Sequence, residues 1–155
     1  MSESPIVLFH RGVGTDHKGR TRDEILAWDD AKLEATHDFI QWLFPTVQPS
    51  VFSHHAPVLT PEDAKTFQGD RDLLGSIVLC MTRMGAFFRA RRPWDHANDH
   101  NLLRLTRMLD CLMILGLHVE ATALHTNITA RAKQSGQVSQ RTLSEWKRVM
   151  SPSPA

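Results

Sequence analysis

Apolar residues recur at helical spacing along most of this chain. Leu74, Ile77, Val78, Met81 and Phe88 step by three, one, three and seven within residues 70–90, the rhythm of one buried helix face. Leu102, Leu105, Leu109 and Leu112 step by three, four and three within 99–115, and Gly116 stands where a helix closes on a left-handed residue. Leu117, Ala121, Leu124, Ile128 and Ala132 predict a further helix closed by Gly136, and Ser139 opens a last one with Leu143, Trp146 and Met150 inward. Nearer the N-terminus, Thr21 and Glu24 have capping-box spacing before Ile25 and Leu26. A helix over about 29–44 stops at Pro45. Thr60, Pro61 and Asp63 supply the N-cap, the N1 proline and the first-turn acid of a short helix ending near Gly69. No stretch alternates apolar and polar residues as a half-buried strand does. The pattern predicts an all-α fold, a single compact bundle of six to seven helices.

The same pass sets the expected organisation. Residues 1–20 read as an extended N-terminal arm, its apolar Ile6–Phe9 laid on the core before a turn with Gly12, Gly14 and Gly19. Residues 21–150 form the helical domain, with a loop at 46–59 and a linker at 91–98 around Pro93. Residues 151–155 are a disordered Pro/Ser tail. A length of 155 residues is that of one domain.

Composition narrows the partners. A formal net charge of +1 provides no global field to draw nucleic acid or an anionic membrane. The longest apolar run, Cys111–Leu117, is far short of a membrane span, and the N-terminus has no basic leader. Cys80 and Cys111 lie in apolar segments and read as buried thiols. Their spacing alone does not decide against a disulfide. With no zinc-ligand spacing, the expectation is a cytoplasmic chain with no cofactor and no metal.

Candidate chemistry sits on two polar stripes. On a continuous 29–44 helix, Leu33, Ile40, Leu43 and Phe44 fall on one side and Ala31, Ala35, Phe39 and Trp42 on the other. Asp30, Glu34, His37 and Gln41 lie between them, as a solvated strip or as a buried network that must find partners. On the 99–115 helix, His100, Arg104 and Arg107 share a face and could bind an anionic small molecule or peptide, because arginine offers a planar fork of donors. The two stripes are expected to face one another. His37, beside Glu34 and Gln41, is the candidate general base of an alternative, enzymatic reading. Arg83, Arg89, Arg91 and Arg92, interleaved with Phe87, Phe88 and Trp94, carry a second alternative, nucleic-acid binding. Gly12-Val13-Gly14 is a turn rather than a phosphate loop, and His96/His100 and His54/His55 fit no established metal spacing.

Two segments carry a family resemblance. Leu33–Pro45, L-E-A-T-H-D-F-I-Q-W-L-F-P, resembles the central motif of the opioid growth factor receptor conserved domain. His100–Leu109, H-N-L-L-R-L-T-R-M-L, is similar to that family's second motif, with Leu102 where a second Asn is usual, and Ala56–Thr60 also fits. The resemblance spans roughly residues 7–130 and implies an all-α domain. Carried over position by position, it marks Glu34, His37, Gln41, Trp42, Pro45, His100, Asn101, Arg104, Thr106 and Arg107. Animal members are known as receptors for an opioid pentapeptide, whereas this chain looks like the compact stand-alone microbial form. The resemblance brings no catalytic residue. The expected function is therefore a non-catalytic ligand- or peptide-binding domain using Glu34, His37, Gln41, Trp42, His100, Asn101, Arg104 and Arg107.

Overall fold

The computed structural model describes residues 2–50, 54–90 and 99–151. Among them are nine helices: α1 Pro5–His10, α2 Arg22–Leu26, α3 Asp30–Ala35, α4 Ile40–Leu43, α5 Pro61–Gln68, α6 Arg71–Ala90, α7 His100–Ile114, α8 His118–Ser135 and α9 Gln140–Met150. Thr46 and Val58 form one isolated parallel bridge, closed by the Leu59 N–H donating to the Thr46 carbonyl at 2.8 Å. The all-α class is as expected. The chain divides into two compact units, Met1–Met84 and Gly85–Ala155, with the boundary inside α6. The predicted linker at 91–98 and the tail beyond Ser151 lie outside the described residues.

Two corrections account for the higher helix count. The N-terminal segment is not an extended arm, because Pro5–His10 is helical. Ser4 is its N-cap and Pro5 its N1 residue, a start signal in the sequence overshadowed by the brevity of the apolar run. The Ser4 hydroxyl also donates to Asp63 Oδ1 at 2.7 Å, fixing α1 to the start of α5. Ile6, Val7, Phe9 and His10 are buried. Gly12 and Gly14 do make a turn, with both Val13 N–H and Gly14 N–H donating to the Leu8 carbonyl. A Cβ on Gly14 would lie 2.8 Å from Leu8 Cβ and 3.0 Å from the Leu8 carbonyl carbon, so only glycine lets the chain fold back this closely.

The second correction concerns residues 29–44. The single helix expected there is two, α3 and α4, separated by residues 36–39. Thr36 adopts extended backbone, with φ −102° and ψ 129°. No proline or glycine marks this break. Its physical cause is Asp38, which leaves the helix to meet Lys18 Nζ at 2.9 Å, Arg20 Nη2 at 3.0 Å and His17 Nε2 at 3.3 Å. The three stripes of a continuous helix therefore dissolve. Leu33, Phe39, Ile40, Trp42, Leu43 and Phe44 are buried, but Ala31 and Ala35 are exposed.

The first unit is organised around α6. Leu73, Ile77, Cys80 and Met84 are buried along it at steps of four, three and four. By length and composition α6 could cross a membrane, but its Ser76 and Arg83 are tied to other elements of the unit. Arg83 closes the carbonyl end of α2, donating to Leu26 O at 3.2 Å and Trp28 O at 2.8 Å, and pairs with Asp30 at 2.9 Å. Ser76 meets His10, which is fully buried. His10 Nε2 lies 2.8 Å from the Trp42 carbonyl, which can only accept, so Nε2 carries the hydrogen. His10 Nδ1 then accepts from the Ser76 hydroxyl at 2.7 Å, and Ser76 Oγ accepts from Arg22 Nη1 at 3.0 Å. One directed chain thus links α2, α6, α1 and α4. Burial, against the Trp42 hydrogen bond, holds the His10 pKa down at about 4.

In the second unit α7, α8 and α9 pack on one another. Leu105, Leu109 and Leu112 are buried as expected. Asp99 caps α7, and its far end closes through the two bonds of a Schellman motif, Leu117 N to Leu112 O at 2.8 Å and Gly116 N to Met113 O at 3.2 Å, with Gly116 at φ +82°. Trp146 of α9 is wholly buried and its Nε1 donates to Thr106 Oγ1 of α7 at 3.0 Å.

Two outcomes test this packing. Gly14→Ala should destabilise the chain by about 1–3 kcal/mol in urea denaturation, since the Leu8 backbone cannot give way as a flexible side chain would. An effect within about 0.5 kcal/mol would show the turn to be slack. For His10, the unfolded ring takes a proton near its ordinary 6.5 and the folded ring only near 4. Stability is therefore complete above about pH 6.5, falls as the pH drops toward 4, and has lost roughly 3 kcal/mol from this group below that. Denaturation midpoints across this window should slope in the native chain, and the slope should lessen in His10→Gln.

Candidate functional site

The sequence-predicted residues separate between the two units. In the second, four lie on the first two turns of α7. Asn101 is completely buried and Arg104 is 5% exposed, and Arg104 Nη1 donates to Asn101 Oδ1 at 3.2 Å. A buried arginine bonded to a buried amide is a structural arrangement as much as a ligand site. His100 is half-buried, with Nδ1 3.8 Å from Asp99 Oδ1. Arg107 is half-buried, its pKa held below the usual guanidinium value by burial. Asp110, one turn on, is pushed up by burial against the pull of Arg107. Thr106, marked by the family resemblance, is explained by its bond to Trp146. The expected facing of the two polar stripes would join residues of different units, and each stripe is described within its own.

In the first unit, Glu34 is half-buried on α3 and His37 is exposed in the α3–α4 break. Gln41 and Trp42, neighbours on α4, are 5% and 6% exposed. The Trp42 indole is the base of a stack that the sequence did not reveal. His17 lies over it with centroids 6.3 Å apart and planes 16° from parallel. His55 lies over His17 at 5.2 Å and 11°. His55 is exposed, and Phe9 packs on Trp42 at 5.4 Å.

The surrounding charges are mutually satisfied. Asp16 Oδ1 accepts from the backbone N–H groups of Lys18 and Arg20, both at 2.9 Å, and its Oδ2 pairs with Arg20 Nε at 2.6 Å. Arg20 and Lys18 both reach Asp38. Burial alone would raise the Asp38 pKa, but hydrogen bonds from Lys18 and Arg20 outweigh it and hold the carboxyl at about 2. Arg20 also lies over the Trp28 ring at 5.2 Å, with Lys32 Nζ over the same ring at 4.6 Å.

The polar atoms at the stack are not satisfied. Gln41 Nε2 lies 3.5 Å from the His37 carbonyl, while Gln41 Oε1, Trp42 Nε1 and His17 Nδ1 are buried with no hydrogen-bond partner among the described residues. Folded proteins leave few such atoms, and each costs about 1–3 kcal/mol unless something meets it. His17 and Trp42 belong to the stack and Gln41 precedes Trp42 on α4, while His125 Nε2 and Thr129 Oγ1 of the second unit are buried in the same condition. Sequence reasoning reached Gln41 and Trp42 and missed His17, Asp38 and His55. The only local signal was Asp16-x-x-x-Arg20 around Gly19, a loop whose aspartate folds its own backbone; the stack itself is a long-range contact.

Several other candidate groups among the described residues are buried or engaged. His10 and Ser76 resemble a nucleophile–base pair but are both buried, and Ser76 also receives Arg22. Cys80 and Cys111 are free, buried thiols, and burial pushes Cys80 up to about 12. Of the basic cluster, Arg83 is engaged within its unit, Arg89 is exposed, and Arg91 and Arg92 lie outside the described residues.

Comparison with known proteins bears on this geometry. Residues 18–92 match the family described as the opioid growth factor receptor conserved region. The chain is 34% identical over 108 aligned residues to the rat opioid growth factor receptor, covering 57% of this chain and 18% of that protein. The human protein of that name is 32% identical over 57% of this chain and 16% of its own length. Mouse opioid growth factor receptor-like protein 1 is 30% identical over 57% of this chain and 22% of its own. The chain thus spans about a fifth of the length of the relatives it matches. No solved structure matches it.

The Trp146 anchor admits a direct check. Thr106→Val keeps the shape and leaves the Trp146 N–H buried without its acceptor. Urea denaturation should show a loss of about 1–3 kcal/mol. A loss within about 0.5 kcal/mol would mean the bond contributes nothing net.

Proposed function

We propose that this chain, whose residues 18–92 match the opioid growth factor receptor conserved region, is a non-catalytic binding module whose ligand seats at the Trp42–His17–His55 stack of the first unit. The carrying observation is the trio of buried, unpartnered atoms on His17, Gln41 and Trp42. Where Asp16 and Asp38 are balanced against Lys18 and Arg20, two ring nitrogens of the stack, Trp42 Nε1 and His17 Nδ1, and the neighbouring Gln41 Oε1 are left open. Binding would satisfy them, and the aromatic faces would supply apolar contact area.

Several features favour binding over catalysis. The imidazole best placed to move a proton, His10, is buried and used in a structural relay. His37, the base of the enzymatic alternative, is exposed, and its main-chain carbonyl receives Gln41. The relatives are named as receptors, which accords with a recognition role; a peptide is accordingly the first class of ligand to try.

Native mass spectrometry of the chain purified from its own host tests the reading. The expected result is a retained small molecule or peptide whose occupancy falls in Trp42→Phe, which keeps a ring and removes the indole donor. Bare chain in every preparation, or an adduct indifferent to Trp42→Phe, would overturn the assignment.

A further inference from the structure

We propose that the second unit carries a nucleic-acid-binding face on α8 and α9, which takes the phosphate backbone of a duplex through Lys133, Arg141, Lys147 and Arg148. This face uses none of the residues of the Trp42 stack. The formal charge of +1 conceals two units of opposite sign. Residues 1–84 hold eight Lys and Arg against twelve Asp and Glu, and residues 85–155 hold ten against five. The imbalance is steepest over residues 121–155, with five cations and one acid, Glu145. Screening limits an exposed charge to about 10 Å, so a partner meets the local balance of charge and not the total.

The structure brings these cations together. α8 and α9 pack on one another, and Lys133 in the last turn of α8 and Arg141 in the first turn of α9 flank the 136–139 connection. Along α9, Arg141, Ser144, Lys147 and Arg148 are exposed at steps of three, three and one, while Trp146 turns inward to its bond with Thr106 of α7. Arg141 and Arg148 stand two turns, about 10 Å, apart. A duplex offers several phosphates over that length, with one charge per about 1.7 Å of its axis.

These charges are available to a partner. In the first unit Arg11, Lys18, Arg20, Arg22 and Arg83 all meet carboxylates. Among the described residues Lys133, Arg141 and Lys147 stand in no ion pair. Arg148 Nε donates to Glu145 Oε2 at 3.0 Å, a solvent-facing pair that holds it weakly. Lys133, Lys147 and Arg148 lie in last turns, where the helix dipole favours a cation. Arg141 lies at the opposite, positive end of α9, in a first turn with no acid, so helix stability does not account for it. The chemistry of the surroundings selects among polyanions. A bilayer takes up apolar side chains along with charge, and among the described residues the outer face of α9 presents no large apolar side chain. A single strand asks for aromatic faces on which its bases stack, and Phe87 and Phe88, the aromatics interleaved with arginines on α6, are buried. Exposed Gln134 and Gln140 beside the cations can donate to phosphate oxygens. The partner that fits is a duplex backbone, bound through charge without reading sequence.

Fluorescence anisotropy of a labelled, mixed-sequence DNA duplex of about two helical turns, titrated with the intact chain at about 50 and 200 mM salt, tests the assignment. Saturable binding is expected at the lower salt, and three phosphate contacts would make the affinity fall roughly 40-fold at the higher. The triple variant Lys133→Gln/Arg141→Gln/Lys147→Gln changes exposed positions alone. It should bind roughly tenfold more weakly at the lower salt, or weaker still, and lose most of the salt dependence. Lys65→Gln/Arg71→Gln, which removes two exposed cations of the first unit, should bind as the native chain does. If the triple variant fails to fold, Arg141→Gln and Lys147→Gln decide singly, each lowering the salt slope by about one. No duplex binding at the lower salt, binding indifferent to the triple variant, or an equal loss in Lys65→Gln/Arg71→Gln would overturn the proposal. Tighter binding to the single strand of the same sequence would also overturn it and point to base stacking. Binding to vesicles of phosphatidylcholine and phosphatidylserine but not to the duplex would assign the face to a membrane instead.

Discussion

The first unit depends on how its buried polar groups find partners, and His10 is the case on which most rests. An imidazole with no access to water must stay neutral, and a neutral ring donates from one nitrogen only. Its donor goes to the Trp42 carbonyl and its acceptor to Ser76, which leaves Ser76 to accept from Arg22. No member can be reversed without setting two acceptors or two donors face to face. The relay therefore fixes the register of α1, α4 and α6 against one another more tightly than apolar packing alone, which tolerates small slides. It also settles where Trp42 stands, and Trp42 is the floor of the candidate site.

The same constraint decides between competing local structures at residues 36–39. Helix propensity and apolar spacing both favour one continuous helix from 29 to 44. Continuity would have kept Asp38 on a helix carrying its own acids, away from Lys18, Arg20 and His17. Breaking the helix costs a few backbone hydrogen bonds, of about 1 kcal/mol each. It yields a half-buried carboxylate with two cations and an imidazole upon it, and that imidazole, His17, stacks on Trp42. Tertiary pairing overrides local propensity here, as it does at many irregular helices.

What was legible in the sequence follows from the range of the forces involved. Thr60 with Asp63, Ser139, Gly116 and Gly136 act through bonds to near neighbours, and each cap forms as its residue types predict. Leu105, Leu109 and Leu112 are core where their spacing on one helix places them, and Leu33, Ile40 and Phe44 are core although the continuous helix that predicted them is broken. The helical state of Pro5–His10 was within reach through Ser4 and Pro5, but six residues are too few to show a period. His17 and His55 had no local signal at all. They are 38 positions apart in the chain, and a stacked pair leaves no spacing to read. Gln41 and Trp42 were found because they share a motif, while the atoms that complete their surroundings come from loops.

The second unit shows why a motif residue is not by itself a site residue. Asn101, Arg104 and Thr106 lie in the segment that most resembles the family's second motif, and Asn101 and Thr106 have structural roles within their own unit. Asn101 receives Arg104 across one turn of α7, and Thr106 receives the indole of α9 while its hydroxyl returns to the Leu102 carbonyl at 3.0 Å. A buried guanidinium with its amide acceptor in place is costly to disturb, since either residue alone would leave a polar group facing an apolar core. Such positions resist change for the sake of the fold. The first unit offers a second kind of motif residue. There, residues of the stronger motif are buried just as deeply, yet Gln41 and Trp42 keep atoms that the fold itself does not satisfy. A position held for structure has its polar atoms met by structure, and one whose atoms wait for something outside the chain is where recognition is to be sought.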